Sequence, residues 1–475
     1  ENFDIIFREF RVGRKKAASF SINGMTNDIL LAEIFKEIVA EKSEELSINT
    51  LQKVFFTRAV HTQVKQVNNL NDIVTSLLSG ELVFFIDGEE QAMIIDARAY
   101  PIRSPSESNI EKVTRGSRDS FVETIVFNTA LIRRRLRDPN LRYEITKVGI
   151  RSQTDIAVCY IKDVTNPRLV KTVKKRLNDI NIDGVPMAEK AIEEYIVGGS
   201  KWNPLPKVRY TERPDVAAVH LLEGHVCLIV DTSPNIMILP TTFWHHVQHV
   251  EEFRQNVVTG SFLRLVRLLA VGFSLLLPPL WLAMVLQRQL LPESLAFLGP
   301  RDTGIIPLGI QFIMAEIGVE MVRMATVHVP AAQSTALGFI GAFMLGQFAT
   351  DVGLFGNETI FYTAVAVVGT FATPSVELAL AMRFFRIVLI TLVMLFKLPG
   401  LIAGLIGVAL LFGLTKSFGV SYLCPAIPFN FTALKDVLFR LPIPSKVLRP
   451  AILKPLDDDR MKGRKKRKNH DMQDE

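Results

Sequence analysis

Phe262-Leu-Arg-Leu-Val-Arg-Leu-Leu-Ala-Val-Gly-Phe-Ser-Leu-Leu-Leu-Pro-Pro-Leu-Trp-Leu-Ala-Met-Val-Leu286 decides the architecture of this chain. A helix needs about 20 apolar residues to cross a bilayer core of about 30 Å, and this stretch supplies them. Arg264 and Arg267 stand near its start, where long basic side chains can snorkel to the headgroups. Ala331–Thr350, Thr359–Ser375 and Phe384–Leu414 are further candidate spans. Residues 304–322 are apolar too, but carry Glu316 and Glu320, with Arg323 just beyond. Those three share one helical face, so the segment is either interfacial or turned toward protein or water. Glu320 and Arg323, one turn apart, can neutralise each other.

Outward from this region the composition changes. Residues 1–262 carry 34 basic and 34 acidic side chains, residues 263–435 only 10 and 7, and the remainder 11 and 7. The net charge of +7 therefore lies outside the first half, and a neutral first half argues against nucleic acid as a partner. The boundaries expected are 1–105 and 106–256 for two soluble α/β subdomains, 257–435 for an α-helical multi-span membrane domain, and 436–475 for a basic cytoplasmic tail. With Lys462, Arg464, Lys465, Lys466, Arg467 and Lys468 close behind the last span, and no signal-like stretch at the start, both ends are expected on the cytoplasmic side. The number of crossings is then even. It is four if residues 304–322 stay interfacial and 384–414 is one long kinked helix, and six if both count as crossings, with Lys397, Pro399 and Gly400 marking the break.

One span differs in texture. Thr359, Thr363, Ala366, Thr370 and Thr373 recur at spacings of one helical turn and are headed by Glu358. Either the threonines bond back to their own helix and pack against neighbours, or the stripe lines a pore between subunits, with Glu358 as a ring at its mouth. In the pore reading Val367 and Phe371, off the stripe, face neighbouring helices. Gly400, Gly404 and Gly407 read as close-packing positions.

In the first half, helices are expected at Asp28–Ala40, Ser47–Val67, 119–137, Asn166–Asn178 and 187–196. Strands are expected at Leu82–Ile86, Ala92–Asp96, 143–149, 155–161, Val216–Leu222, Val226–Val230 and Ile236–Leu239, with a linker at 101–118. Cys159, Cys227 and Cys424 read as free thiols without a partner close in sequence. Walker, dinucleotide, nucleophile-elbow and HExxH motifs are missing, so no catalytic residues, cofactor or metal are expected and an enzyme is a distant possibility. His245 and His249 have the spacing of metal ligands on a helix, but with Phe243 and Trp244 they read as an interfacial helix. Arg133, Arg134, Arg135 and Arg137 cover several faces and read as a solvated or subunit-contact surface.

Arg115-Gly-Ser-Arg-Asp-Ser-Phe-Val-Glu123, Asn128-Thr-Ala-Leu-Ile-Arg-Arg-Arg-Leu-Arg-Asp-Pro139, Glu212-Arg-Pro-Asp-Val216, Leu222-Glu-Gly224 and Ser417-Phe-Gly-Val-Ser-Tyr422 resemble the GerA family of spore germination proteins, over nearly the whole chain. His245-His-Val-Gln-His-Val-Glu-Glu-Phe-Arg-Gln255 and Gly369-Thr-Phe-Ala-Thr-Pro-Ser375 look closer to its SpoVAF branch than to a receptor A subunit. The resemblance implies a multi-pass protein of the spore inner membrane, in contact with membrane lipid and with another spore membrane protein. It also implies a homo-oligomeric, pentameric ion channel that amplifies early ion release during germination. The competing reading is a non-conducting scaffold or accessory subunit of a germinant receptor or transport complex.

Overall fold

The computed structural model describes residues 2–39, 64–99, 111, 113–200, 202–287, 289, 299–301, 303–327 and 346–460. The chain forms two compact units. One comprises Glu1–Gly198, Val208–Pro240 and Pro442–Glu475; the other, Gly199–Lys207 and Thr241–Leu441. Packing thus assigns residues 241–256 to the helical unit and Pro442 onward to the sheet unit, whereas composition alone draws the lines at 256 and 435.

The sheet unit holds two antiparallel five-stranded sheets. The first, ordered β1-β2-β4-β5-β3, comprises β1 (Ile5–Val12), β2 (Lys15–Ile22), β3 (Val64–Val67), β4 (Leu82–Ile86) and β5 (Ala92–Ile95). Helix α1 (Asp28–Val39) buries Ile34 and Phe35 against Leu82, Phe84 and Ile86, the alternate residues of β4. Helix α2 (Leu70–Leu78) sets Ile73 against Val83, whose side chain points the other way. With both faces covered, β4 is a continuous apolar run rather than an alternating one.

The second sheet, ordered β6-β7-β9-β10-β8, is built from β6 (Leu141–Val148), β7 (Thr154–Ile161), β8 (Arg209–Thr211), β9 (Val226–Val230) and β10 (Ile236–Leu239). Around it lie α3 (Ile125–Arg135), α4 (Pro167–Asn178), α5 (Ala188–Ile196) and α6 (Pro214–Glu223). Asn166 caps α4 by accepting from the Arg168 N–H, with Pro167 in the first turn. All five residues of β9 are buried, its four aliphatic side chains each contributing about 1.5–3 kcal/mol by leaving water.

Several sequence expectations are corrected here. Val216–Leu222 is not a strand but part of helix α6, which Pro214 opens and Gly224 closes at φ +101°. The described end of the expected Ser47–Val67 helix, Val64–Val67, is edge strand β3, with Val64 opposite Ile95; residues 47–63 lie outside the described residues. The β1–β2 hairpin is an addition. Cys159 and Cys227, distant in sequence, are opposed across β7 and β9 as buried thiols, whose pKa values burial pushes up.

The arginine run is solvated only in part: Arg134 and Arg137 are exposed, as expected for a solvated face, and Arg133 and Arg135 are not. Arg133 is fully buried, donating from Nε to Asp4 at 2.7 Å and to the carbonyls of Asp138 and Leu141. Arg135 pairs with Asp119 and donates to Ser117. Arg213 donates to the carbonyls of Glu111 and Ser117 and pairs with Asp215. The strings that carry the family resemblance are, in this unit, helix α3 itself, the segment that leads into it and the two ends of α6. Gly24, at φ +75°, sits where a Cβ would lie 2.8 Å from Val126 of α3, so this turn and α3 approach as only glycine permits.

The helical unit contains α7 (Phe243–Val247), α8 (Val250–Arg254), α9 (Val257–Leu286), α10 (Leu308–Val327), α11 (Asn357–Phe371), α12 (Val376–Leu414) and α13 (Phe431–Leu438). Among the described residues, α9 and α12 are long and apolar enough to cross a membrane. Most of the Ala331–Thr350 span lies outside the described residues. Helix α12 is broken at Lys397, φ 52° and ψ −135°. The Phe385 and Phe412 rings are 6.1 Å apart, whereas a straight helix would separate them by about 40 Å. The helix therefore reverses into two arms, so residues 384–414 are not one long kinked helix. Gly404 is where a Cβ would run into Leu389 on the opposite arm; Gly407 faces open space.

Candidate functional site

The stripe lies on the buried side of α11. Thr359, Thr363, Ala366, Thr370 and Thr373 are all buried, while Phe371 is 70% exposed and Val367 half-buried. The covering partner is α9 of the same chain. A Cβ on Gly369 would collide with the Ala270 carbonyl, and Trp281 stacks 4.9 Å from Tyr362, so the two helices run antiparallel along the stripe. Thr370 and Thr373 donate back to the carbonyls of Ala366 and Gly369. Among the described residues, Thr359 Oγ1 and Thr363 Oγ1 are buried without a hydrogen-bond partner, as is Glu358 Oε2; Glu358 Oε1 accepts from the Arg301 N–H at 3.1 Å.

Below these hydroxyls the stripe meets a buried ion-pair network. Arg386, on the first arm of α12, is fully buried and donates to Glu316 of α10 at 2.7 and 2.9 Å. Its Nη1 also donates to the Ser274 carbonyl of α9 and reaches Thr370 Oγ1 of α11 at 3.4 Å. One guanidinium thus joins α9, α10, α11 and α12. The Ser274 carbonyl is available because Pro278, four residues on, has no N–H to donate to it. Arg383, one turn earlier, pairs with Glu320 and lies 3.6 Å from Glu316; Glu320 also takes Arg323 at 3.0 Å, the pair expected from sequence. The carboxylates of α10 are turned toward protein. Glu316–Arg386 spans 70 residues, and its sequence signals are the charges set in apolar runs, Glu316 on one side and Arg383 and Arg386 on the other, neither of which says which helix the other lies on.

The histidine cluster does not form a ligand pair on one helix. His245 Nδ1 accepts from the Thr242 N–H as the capping box of α7, and His249 Nδ1 caps α8 by accepting from the Glu251 N–H, so the extended backbone of Gln248 and His249 separates them. Nor do Arg264 and Arg267 snorkel. Both pair with Glu252 of α8, which is completely buried, and Arg264 donates to it at 2.8 Å.

In the sheet unit, burial foremost, and then neighbouring His220, holds the His225 imidazole well below the usual histidine pKa. The basic helix α4 contributes Lys171, Lys174 and Lys175 to an open cavity of about 800 Å³, floored by Tyr160, Val170 and Leu456. Lys174 is neutralised there by Glu144, whose carboxyl its hydrogen bond helps hold below the usual range, against the opposing pull of desolvation.

A sheet unit is joined in one chain to helices of which two, among the described residues, are long and apolar enough to cross a membrane, and residues 1–452 match the family described as Bacillus/Clostridium GerA spore germination protein. The chain belongs to that family. It is 45% identical over 454 residues to stage V sporulation protein AF of Bacillus subtilis (strain 168), covering 96% of this chain and 92% of that protein. To spore germination protein GerLA of Bacillus cereus it is 31% identical over 419 residues, 88% of this chain and 84% of that one. The SpoVAF-branch reading of the sequence agrees with this order. Among solved structures, the N-terminal domain of the A subunit of the Bacillus megaterium spore germinant receptor GerK3 is 26% identical, with a TM-score of 0.38 over 51% of this chain and 90% of that one.

Proposed function

We propose that this chain is a non-enzymatic, multi-pass subunit of an oligomeric ion channel in the spore inner membrane, amplifying early ion release in germination. The family supports the germination role. The observation that carries the channel reading is the column of buried polar groups between apolar helices: Thr359 and Thr363 hydroxyls without partners among the described residues, then Thr370, Arg386 and Glu316. An unpartnered buried hydroxyl costs about 1–3 kcal/mol, which is recovered if water or an ion is admitted beside it. Because the stripe is covered by α9, conduction requires α11 to part from α9. In a homo-pentamer this exposes Thr359, Thr363, Ala366, Thr370 and Thr373 to a wet path, with Glu358 at its mouth. The reversal of α12 favours six crossings, since with both ends on the core side the count must stay even and α10 then crosses as well.

The scaffold reading rests on a specific observation too: Thr370 and Thr373 bond back to their own helix, as packing threonines do. Potassium efflux from sealed vesicles holding the purified chain separates the two. The channel reading expects a ring-sized oligomer and an efflux that Ala366→Leu suppresses and Phe371→Ala spares. Equal efflux in both variants, or a monomer in native mass measurements, would remove it.

A further inference from the structure

Helix α13 carries an apolar surface that no described residue of the helical unit covers. Phe429 and Phe431 are each 70% exposed, with Ile427 and Phe439 exposed on either side. Along the helix Phe431, Leu434 and Leu438 recur at one-turn spacings, opposite Thr432 and Asp436, with Lys435 at the border. Such a short helix does not hold itself together in water, so its place is set by what tethers it.

The tether is the start of α9. Arg264 Nη1 donates to the Val437 carbonyl at 2.8 Å, the Arg440 N–H donates to Ser261 Oγ at 3.0 Å, and Arg440 Nη2 donates to the Phe253 carbonyl at 2.8 Å. Gly260 makes room for Arg440: a Cβ there would lie 2.7 Å from its Cδ. These are also the turns at which the exposed apolar surface of α9 begins, with Val258, Phe262, Leu265 and Val266 all facing outward. The amphipathic helix is therefore pinned to the level at which α9 would enter a bilayer, and it carries a cation, Lys435, suited to anionic headgroups.

We propose that α13 and the preceding Ile427–Phe429 lie in the membrane–water interface, with Phe429, Phe431, Leu434 and Leu438 in the acyl boundary and Lys435 among lipid phosphates. The helix acts as a collar that fixes the depth of α9. Its occupant is the lipid surface, because its apolar stripe continues the apolar surface of a helix long enough to span. The inference rests on the reading that α9 crosses the membrane.

The test uses the full chain with Cys424→Ala, in vesicles of phosphatidylcholine and phosphatidylglycerol. Nitroxide labels are placed one at a time through Phe431→Cys, Thr432→Cys and, on α9, Leu269→Cys. Collision rates are read with lipid-soluble oxygen and a water-soluble nickel chelate. Oxygen should dominate at 431 and 269, less strongly at 431, and nickel should dominate at 432. Nickel dominance at 431, or shielding from both reagents as under a second copy or a partner protein, with 269 still in lipid, overturns the collar alone. Nickel dominance at 269 overturns the spanning reading and the collar with it.

Discussion

Both units bury an arginine against a carboxylate, and the two pairs behave differently. In the sheet unit Arg133 meets Asp4 and spends its remaining N–H groups on the Asp138 and Leu141 carbonyls, closing the seam between the N-terminal strand and α3. In the helical unit Arg386 meets Glu316, and its neighbours extend into a stripe whose upper hydroxyls have no partner among the described residues. A buried ion pair is weak evidence of function, since one that is broken is destabilising wherever it lies. What distinguishes the helical unit is the polar column beyond the pair.

The largest effect should come from removing one half of the helical pair. Arg386→Met takes from buried Glu316 the partner that donates to both its oxygens and leaves only the more distant Arg383 guanidinium at 3.6 Å, a loss of about 3 kcal/mol. The amount of folded protein recovered from membranes should collapse, and Glu316→Leu added to it should restore part of that amount. Additive losses would mean that the two side chains do not act on each other. Arg133→Met should cost a similar about 3–5 kcal/mol through Asp4, but efflux per folded molecule should stay at the level of the unsubstituted chain. A fall in efflux per folded molecule would erase the contrast between the units.

A smaller effect separates the units by pH. His225 is held neutral in the fold by burial, with His220 and then Arg209 opposing its charge. Below the ordinary histidine value of about 6.5 the unfolded chain takes up a proton that the folded chain refuses, so stability falls as pH drops, by at most about 1.4 kcal/mol per unit for one group. The fall continues down to the depressed value of the folded state. Denaturation of the full chain in detergent at pH 7.5, 6.5 and 5.5 should show this decline, and His225→Gln should flatten it; an unchanged slope would place the titration elsewhere.

The parts legible in the sequence are those with local causes. Asn166 followed by Pro167 marks the start of α4, the Lys397-Leu-Pro-Gly run marks the reversal of α12, and the threonine spacing marks one face of α11. That face is specified by period alone, whereas the helix covering it is a matter of long-range packing. Arg386 could be recognised as costly, but its partners come from three other helices, one of them a carbonyl released by Pro278. Similarly, Arg133 looks like part of an exposed basic run until Asp4, 129 residues away, is brought beside it. Helix α6 holds an apolar run of strand length, and only Pro214 and Gly224 at its ends mark it as a helix.

The central claim is that the unpartnered hydroxyls of α11 serve conduction rather than packing, and the double variant Thr359→Val with Thr363→Val tests it most directly. Valine keeps the shape and removes the buried, unsatisfied oxygens, so folding stability should hold or rise, by up to about 1–3 kcal/mol per site. Potassium efflux from vesicles holding the assembled protein should nevertheless fall by about tenfold, the equivalent of about 1.4 kcal/mol of lost coordination. Efflux equal to that of the unsubstituted chain, with stability raised, would contradict the account and leave the threonines as packing residues.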